Sequence, residues 1–196
     1  MQRMARAAKR KRSPSPPPRK GPLPALAELH QRHRGVTPAV CAAFAEAASV
    51  CLSRHHEPPR DLRLASPEEV VREVNWTMPD DRTRDAWANR DDATRDGAYS
   101  VAMAAVEAEL GWLAISRAET RTGADYYVAP PGTTDLESAY RLEVSGVDEG
   151  NDAVVAGRLS DKVRQTRDGA SSLPAIASVV GFKAALVVIR RADTDA

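Results

Sequence analysis

Apolar positions recur at helical spacing through the first half of the chain and alternate through much of the second. Leu23 to His33 is a short helical pattern closed by Gly35. Thr37 before Pro38 is an N-cap followed by proline at the first helical position. Val40, Phe44, Ala47, Ala48 and Cys51 then hold helical register to about Arg54. His55 to Arg60, with Pro58 and Pro59, reads as a loop whose histidines are solvated. Ser66-Pro67-Glu68-Glu69 has the form of a capping box and predicts a helix through about Val74. Asp80 to Asn89 predicts a short polar helix. Ala98 to Leu110 predicts a longer one, capped from Asp91 to Thr94 and ended by Gly111.

After Gly111 the pattern changes. Trp112 to Arg117 and Asp125 to Val128 read as strands flanking the turn at Thr122-Gly123. Pro130-Pro131-Gly132 forces a loop, and Tyr140 to Ser145 alternates like a half-buried strand. Asp152 to Thr166 is helical, with Asp168-Gly169 as its stop. Ala175 to Val180 and Ala184 to Ile189 are strongly β, joined at Gly181-Phe182-Lys183. The order, helices followed by β-β-β-α-β, predicts an α+β (mixed α/β) fold with a helical N-terminal half. The expected divisions are a leader over 1–22, a helical segment packed on the core over 23–90, and an α/β core over 91–196.

Charge sharpens these divisions. The formal net charge of the 196 residues is +1, but residues 1–20 hold eight Lys or Arg and no acid, leaving a net of −7 on the rest. Pro14, Pro16, Pro17 and Pro18 block helix there, so a disordered basic leader is expected. The acidic remainder argues against nucleic-acid binding by bulk charge alone. No apolar run follows the leader's charges, and Gly181 and Lys183 interrupt the longest apolar stretch, so neither a secretory signal nor a membrane span is expected. The chain reads as cytoplasmic. Its 34 alanines and an excess of Arg over Lys fit a GC-rich bacterial genome. Cys41 and Cys51 lie ten residues apart on one predicted helix, about 15 Å, too far for a disulfide.

Candidate chemistry lies between Glu107 and Gln165. Asp125 is early in the second predicted core strand and Glu143 is in the third, within Leu142-Glu143-Val144-Ser145-Gly146. Alternation puts Leu142 and Val144 on one face and Arg141, Glu143 and Ser145 on the other. Two acids on adjacent strands can converge on one hard cation, with the Val144 carbonyl as a further oxygen. The simpler alternative is an ion pair between Glu143 and Arg141 or Arg158.

Glu107 on the helix, Asp125 in Gly123-Ala124-Asp125 and Glu143-Val144-Ser145 resemble the PD-(D/E)xK nuclease superfamily over roughly residues 92–190. The resemblance implies a restriction-endonuclease-like α-β-β-β-α-β core. It also implies acids that hold Mg²⁺ or Mn²⁺ and activate water against a phosphodiester in DNA or RNA. One departure is plain: Ser145 stands where the family has lysine. A neutral hydroxyl supplies no positive charge beside a scissile phosphate. Only Lys162 and Lys183 lie outside the leader. Lys162 is seven residues from Val155 and three from Leu159, within about 60° of both on a helical wheel, so it faces the sheet. Migration of the lysine onto this helix occurs within the family. Gln165 lies on an adjacent ridge. A lysine snorkelling at the edge of that face is the competing reading.

Arg121, Arg141 and Arg158 are the expected phosphate contacts, and Tyr126 and Tyr127 are candidates for base stacking. His30 and His33 have metal-compatible spacing without a third ligand. No GxSxG, GxxxxGK[ST] or GxGxxG motif occurs. The expectation is a metal-dependent nuclease. Its alternative is an inactive relative serving as a protein- or nucleic-acid-binding module in a bacterial defence or mobile-element system, with the helical half as the partner surface.

Overall fold

The computed structural model describes residues 16–120, 122–167 and 171–192. Its seven-stranded mixed sheet has the order β2-β1-β7-β6-β5-β4-β3. The strands are β1 (Arg60–Ser66), β2 (Glu68–Val74), β3 (Leu113–Arg117), β4 (Tyr126–Ala129), β5 (Tyr140–Val147), β6 (Ala175–Gly181) and β7 (Leu186–Arg191). The α-helices are α1 (Pro38–Ser53), α2 (Asp81–Ala86), α3 (Arg90–Leu110) and α4 (Asp152–Arg167), preceded by a 3-10 turn at Leu26–Gln31. The fold is therefore mixed α+β. Among the described residues no helix is long and apolar enough to cross a membrane.

Local chemistry explains the helix ends. The Thr37 side chain accepts from the Val40 N–H, Asp80 caps α2, and Asn89 accepts from the N–H groups of Asp91 and Asp92. Gly111 closes α3 at φ 69°, a left-handed conformation open to glycine. The expected stop of α4 at Asp168-Gly169 lies outside the described residues.

Two expectations fail in the first half. Residues 68–74 form β2, not a helix, so the N-terminal half is not wholly helical. Three β-branched valines, Val70, Val71 and Val74, outweigh the capping pattern, and β2 pairs in register with β1 from Arg60↔Val74 to Ser66↔Glu68. The disordered leader also does not extend to residue 22. The Pro18 carbonyl accepts from Val71 N–H at 2.9 Å, and the N–H groups of Lys20 and Leu23 donate to Val71 and Glu73 at 2.9 and 2.8 Å. This strap covers the outer edge of β2. Residues 33–35 cover the other edge, where Gly35 N–H donates to the Ala114 carbonyl and Ala114 N–H to His33 Nδ1. Both edges are thereby closed to pairing with another chain. Residues 1–15 lie outside the described residues.

The main core joins α1 and α3 to one face of the sheet through Leu62, Val128, Leu142, Val144, Ile176 and Val187. α4 covers the other face with Val155 and Leu159 against Val147, Ala177, Val179 and Leu186. Cys41 and Cys51 are free and buried. Burial pushes the Cys51 thiol up to about 12, which removes it as a nucleophile at neutral pH.

α3 approaches α1 closely at Gly97. A methyl group there would lie 2.8 Å from Ala48 N and 2.9 Å from Ala48 Cα, both backbone atoms. Alanine improves helix propensity by about 1 kcal/mol, but overpacking against backbone costs up to about 3 kcal/mol. Gly97→Ala is therefore expected to destabilise the protein by about 2 kcal/mol, lowering Tm by ~6 °C in a thermal melt. An unchanged or higher Tm would contradict this packing.

Candidate active site

β4 and β5 pair only from Tyr126↔Leu142 to Val128↔Tyr140, then part. Asp125 sits where they diverge, its N–H donating to the Leu142 carbonyl at 2.8 Å. With no strand partner on that side, Val144 N–H donates to Asp125 Oδ2 at 2.8 Å. A strand residue presents its N–H and C=O to the same side, so the Val144 carbonyl also faces Asp125. Asp125 Oδ1 accepts from the Tyr99 hydroxyl on α3 at 2.7 Å.

Glu143 points to the opposite face, toward α4. Its Oε1 accepts from Lys162 Nζ at 2.7 Å, and Lys162 also donates to Gln165 Oε1 at 3.0 Å. Asp125, Glu143, Val144, Ser145 and Lys162 line one cavity of about 350 Å³, closed on the α3 side by Asp91, Thr94, Arg95 and Tyr99. Gly146 belongs to this wall because a Cβ there would strike the Thr94 carbonyl. Burial raises the Glu143 pKa and the Asp125 charge raises it further, while Lys162 pulls it down without fully offsetting them.

These groups suit a hard cation. Two carboxylates and a backbone carbonyl are oxygen donors, and Mg²⁺ is commonly held by one or two carboxylates with waters and substrate phosphates completing the shell. The site carries like charges in a poorly solvated place, which a cation would relieve. Among the described residues no group of three or more His, Cys, Asp or Glu side chains is gathered to hold a metal. Two carboxylates and a carbonyl are oxygen donors of the kind Mg²⁺ or Mn²⁺ takes, whereas a closed zinc site would need further Cys or His ligands.

Several candidates fall elsewhere. Glu107 lies eight residues beyond Tyr99 on α3, about 12 Å along the helix, and does not line the cavity. Its carboxylate accepts from Arg32 Nε at 2.6 Å and His33 Nε2 at 2.9 Å. Because Ala114 N–H donates to His33 Nδ1, the ring proton is on Nε2, and burial lowers the His33 pKa. His33 is thus held by its neighbours and offers no nitrogen to a metal. Arg141 is turned inward, 5% exposed, and donates to the carbonyls of Leu173, Thr122 and Thr166 at 2.9, 2.8 and 3.1 Å. It ties the β3–β4 loop, the last turn of α4 and the segment before β6 together and is not open to nucleic acid. Neither Arg141 nor Arg158 bonds to Glu143; Lys162 does. Arg158 is exposed on α4, and Arg121 lies outside the described residues. Tyr126 and Tyr127 are 1% and 5% exposed, so neither ring is open to a base. His55 is not solvated, since its Nε2 lies 3.1 Å from Asp148 Oδ1.

Tyr99, Asp91, Thr94 and Arg95 escaped the sequence reading. Asp91 and Thr94 passed as helix caps, yet 91, 94/95 and 98/99 share one helical face. Tyr99 was the one hydroxylated aromatic in a run of small apolar residues, a visible signal.

Comparison of the chain with protein-family models, with curated proteins and with solved structures gave no match in any of the three.

Proposed function

We propose that this chain is a metal-dependent nuclease with a restriction-endonuclease-like core, in which Lys162 of α4 supplies the cation that Ser145 cannot. The observation that carries the reading is the 2.7 Å contact from Lys162 Nζ to Glu143 Oε1 in a cavity shared with Asp125. The order α3-β3-β4-β5-α4-β6 supports it. So does the face of α4 that carries Val155, Leu159 and Lys162 together toward the sheet.

The roles follow from the donor chemistry. Asp125, Glu143 and the Val144 carbonyl would hold the Mg²⁺ or Mn²⁺. A bound divalent ion lowers the pKa of its water and neutralises phosphate charge. Lys162 has three N–H donors and spends two, on Glu143 and Gln165. The third is available to orient a water or meet a phosphate oxygen, so Lys162 places fixed positive charge where negative charge develops.

The test uses purified chain with plasmid DNA, single-stranded DNA and RNA in Mg²⁺ or Mn²⁺. Wild type is expected to cleave, and Glu143→Ala to be slower by about 10³-fold. Equal cleavage by the variant would remove the reading. Failure of both to cleave would favour the non-catalytic binding module.

A further inference from the structure

Asp125 and Asp148 are both carboxylates with short hydrogen bonds, but their partners differ in charge. Asp148 receives Arg54, His55 and Arg90 directly. Among the described residues, Asp125 receives only neutral donors, the Val144 N–H and the Tyr99 hydroxyl. A cation stands one link further back. Arg117, at the end of β3, has its guanidinium carbon 4.8 Å from the ring centroids of both Tyr99 and Tyr126. Its Nη1 donates to the Tyr126 hydroxyl at 2.9 Å and its Nη2 to the Tyr99 hydroxyl at 3.4 Å.

A guanidinium is always charged and can only donate. Both tyrosine oxygens therefore accept from Arg117, and the single proton of Tyr99 is left to point at Asp125. The ring of Tyr99 is wedged by Phe44 at 5.2 Å and Tyr126 at 5.7 Å between centroids, so the hydroxyl has little freedom to turn. Donors from α3 and β5 then hold the two carboxylate oxygens, each of which keeps a lone pair for another partner. Positive charge is felt behind Asp125 without an ion pair that would occupy it. Asp125 is thereby left open to a further partner, whereas Asp148 is taken up by three basic side chains.

We infer that Arg117 and Tyr99 are positioning residues: Arg117 fixes the Tyr99 hydroxyl, and Tyr99 fixes Asp125 as a ligand for a divalent cation. This rests on the reading of Asp125 and Glu143 as cation ligands. Outer partners of ligating carboxylates change metal affinity by about 10–100-fold when removed.

The test is Mn²⁺ binding to the full chain, followed by calorimetry and by the electron paramagnetic resonance spectrum of the bound ion. Wild type is expected to bind and Asp125→Asn to lose binding. Tyr99→Phe, which keeps the packed ring, and Arg117→Met are expected to raise the Mn²⁺ Kd at least ~10-fold and to broaden the bound-ion spectrum. Arg117→Lys is expected to recover most of the affinity, because an ammonium keeps the charge between the rings. Wild-type affinity and spectrum in Tyr99→Phe and Arg117→Met would overturn the relay while leaving the cation site intact. An Arg117→Lys variant as weak as Arg117→Met would overturn the part given to charge. Absence of Mn²⁺ binding in wild type would overturn the cation site and the relay with it. Thermal melts confirm folding, and Tyr99→Phe decides the matter if Arg117→Met does not fold.

Discussion

Lys162→Met is expected to slow cleavage about 10³-fold, within the range of a lost charge-stabilising or proton-handling group. Methionine keeps the apolar stem of the side chain and removes the ammonium 2.7 Å from Glu143. The consequence for Glu143 has a definite sign. Burial and Asp125 already raise its pKa, and Lys162 is the first of the groups that lower it. Without Lys162 the folded-state value rises further above that of the unfolded chain. A raised carboxyl pKa contributes stability that is fully present below the unfolded value and lost as pH rises through the folded one. The variant should therefore melt close to wild type below about pH 4 and progressively below it as pH rises toward 8. Single-turnover cleavage at pH 8 and melts at both ends of this range check this; a variant that cleaves like wild type would exclude Lys162 from the chemistry.

Asp148→Ala is expected to give the largest loss of stability, about 3 kcal/mol or ~10 °C in Tm. Asp148 lies between β5 and α4 with its side chain 10% exposed. It accepts from Arg54 at the C-terminal end of α1 at 2.9 Å, from Arg90 at the start of α3 at 2.7 Å, and from His55 at 3.1 Å. Removing it leaves the half-buried Arg54 and the more exposed Arg90 without the carboxylate they share. Burial works to raise the Asp148 pKa, but Arg90, His55 and Arg54 outweigh it and hold the carboxyl below its usual range. A lowered carboxyl pKa contributes stability above the unfolded value, about 3.9, that is lost as pH falls through the folded one. Urea unfolding should show the full gap between wild type and variant at pH 7, narrowing below about pH 4. A gap independent of pH would show that the loss is one of packing rather than charge.

Much of the C-terminal half could be read directly, because its periods are long and uninterrupted. Alternation in Tyr140 to Ser145 separated Leu142 and Val144 from Glu143, and the wheel of α4 turned Lys162 to the sheet. What failed shares one physical character. The partners of Glu107 are Arg32 and His33, 75 and 74 residues earlier in the chain, and a helical wheel gives a face but no axial position. The carbonyls that draw Arg141 inward come from the β3–β4 loop, the last turn of α4 and the segment before β6. The β1–β2 hairpin was missed although Leu62 and Leu64 alternate in Arg60–Ser66, because the capping signature at Ser66 to Glu69 suits a tight strand connection as well as a helix start. Asp148, which joins three elements, stood in the sequence as an ordinary loop acid.

In the proposed nuclease a lysine on α4 stands in for a lysine on β5. Ser145 lines the same cavity as Lys162, so a lysine at 145 could reach the same acids from the strand. The most direct measurement is the cleavage rate of the double variant Lys162→Met/Ser145→Lys against Lys162→Met alone. The account expects the second change to recover at least ~10-fold of the lost rate, since it restores the charge beside Glu143. Cleavage by Lys162→Met at the wild-type rate, or a double variant no faster than Lys162→Met, would contradict it.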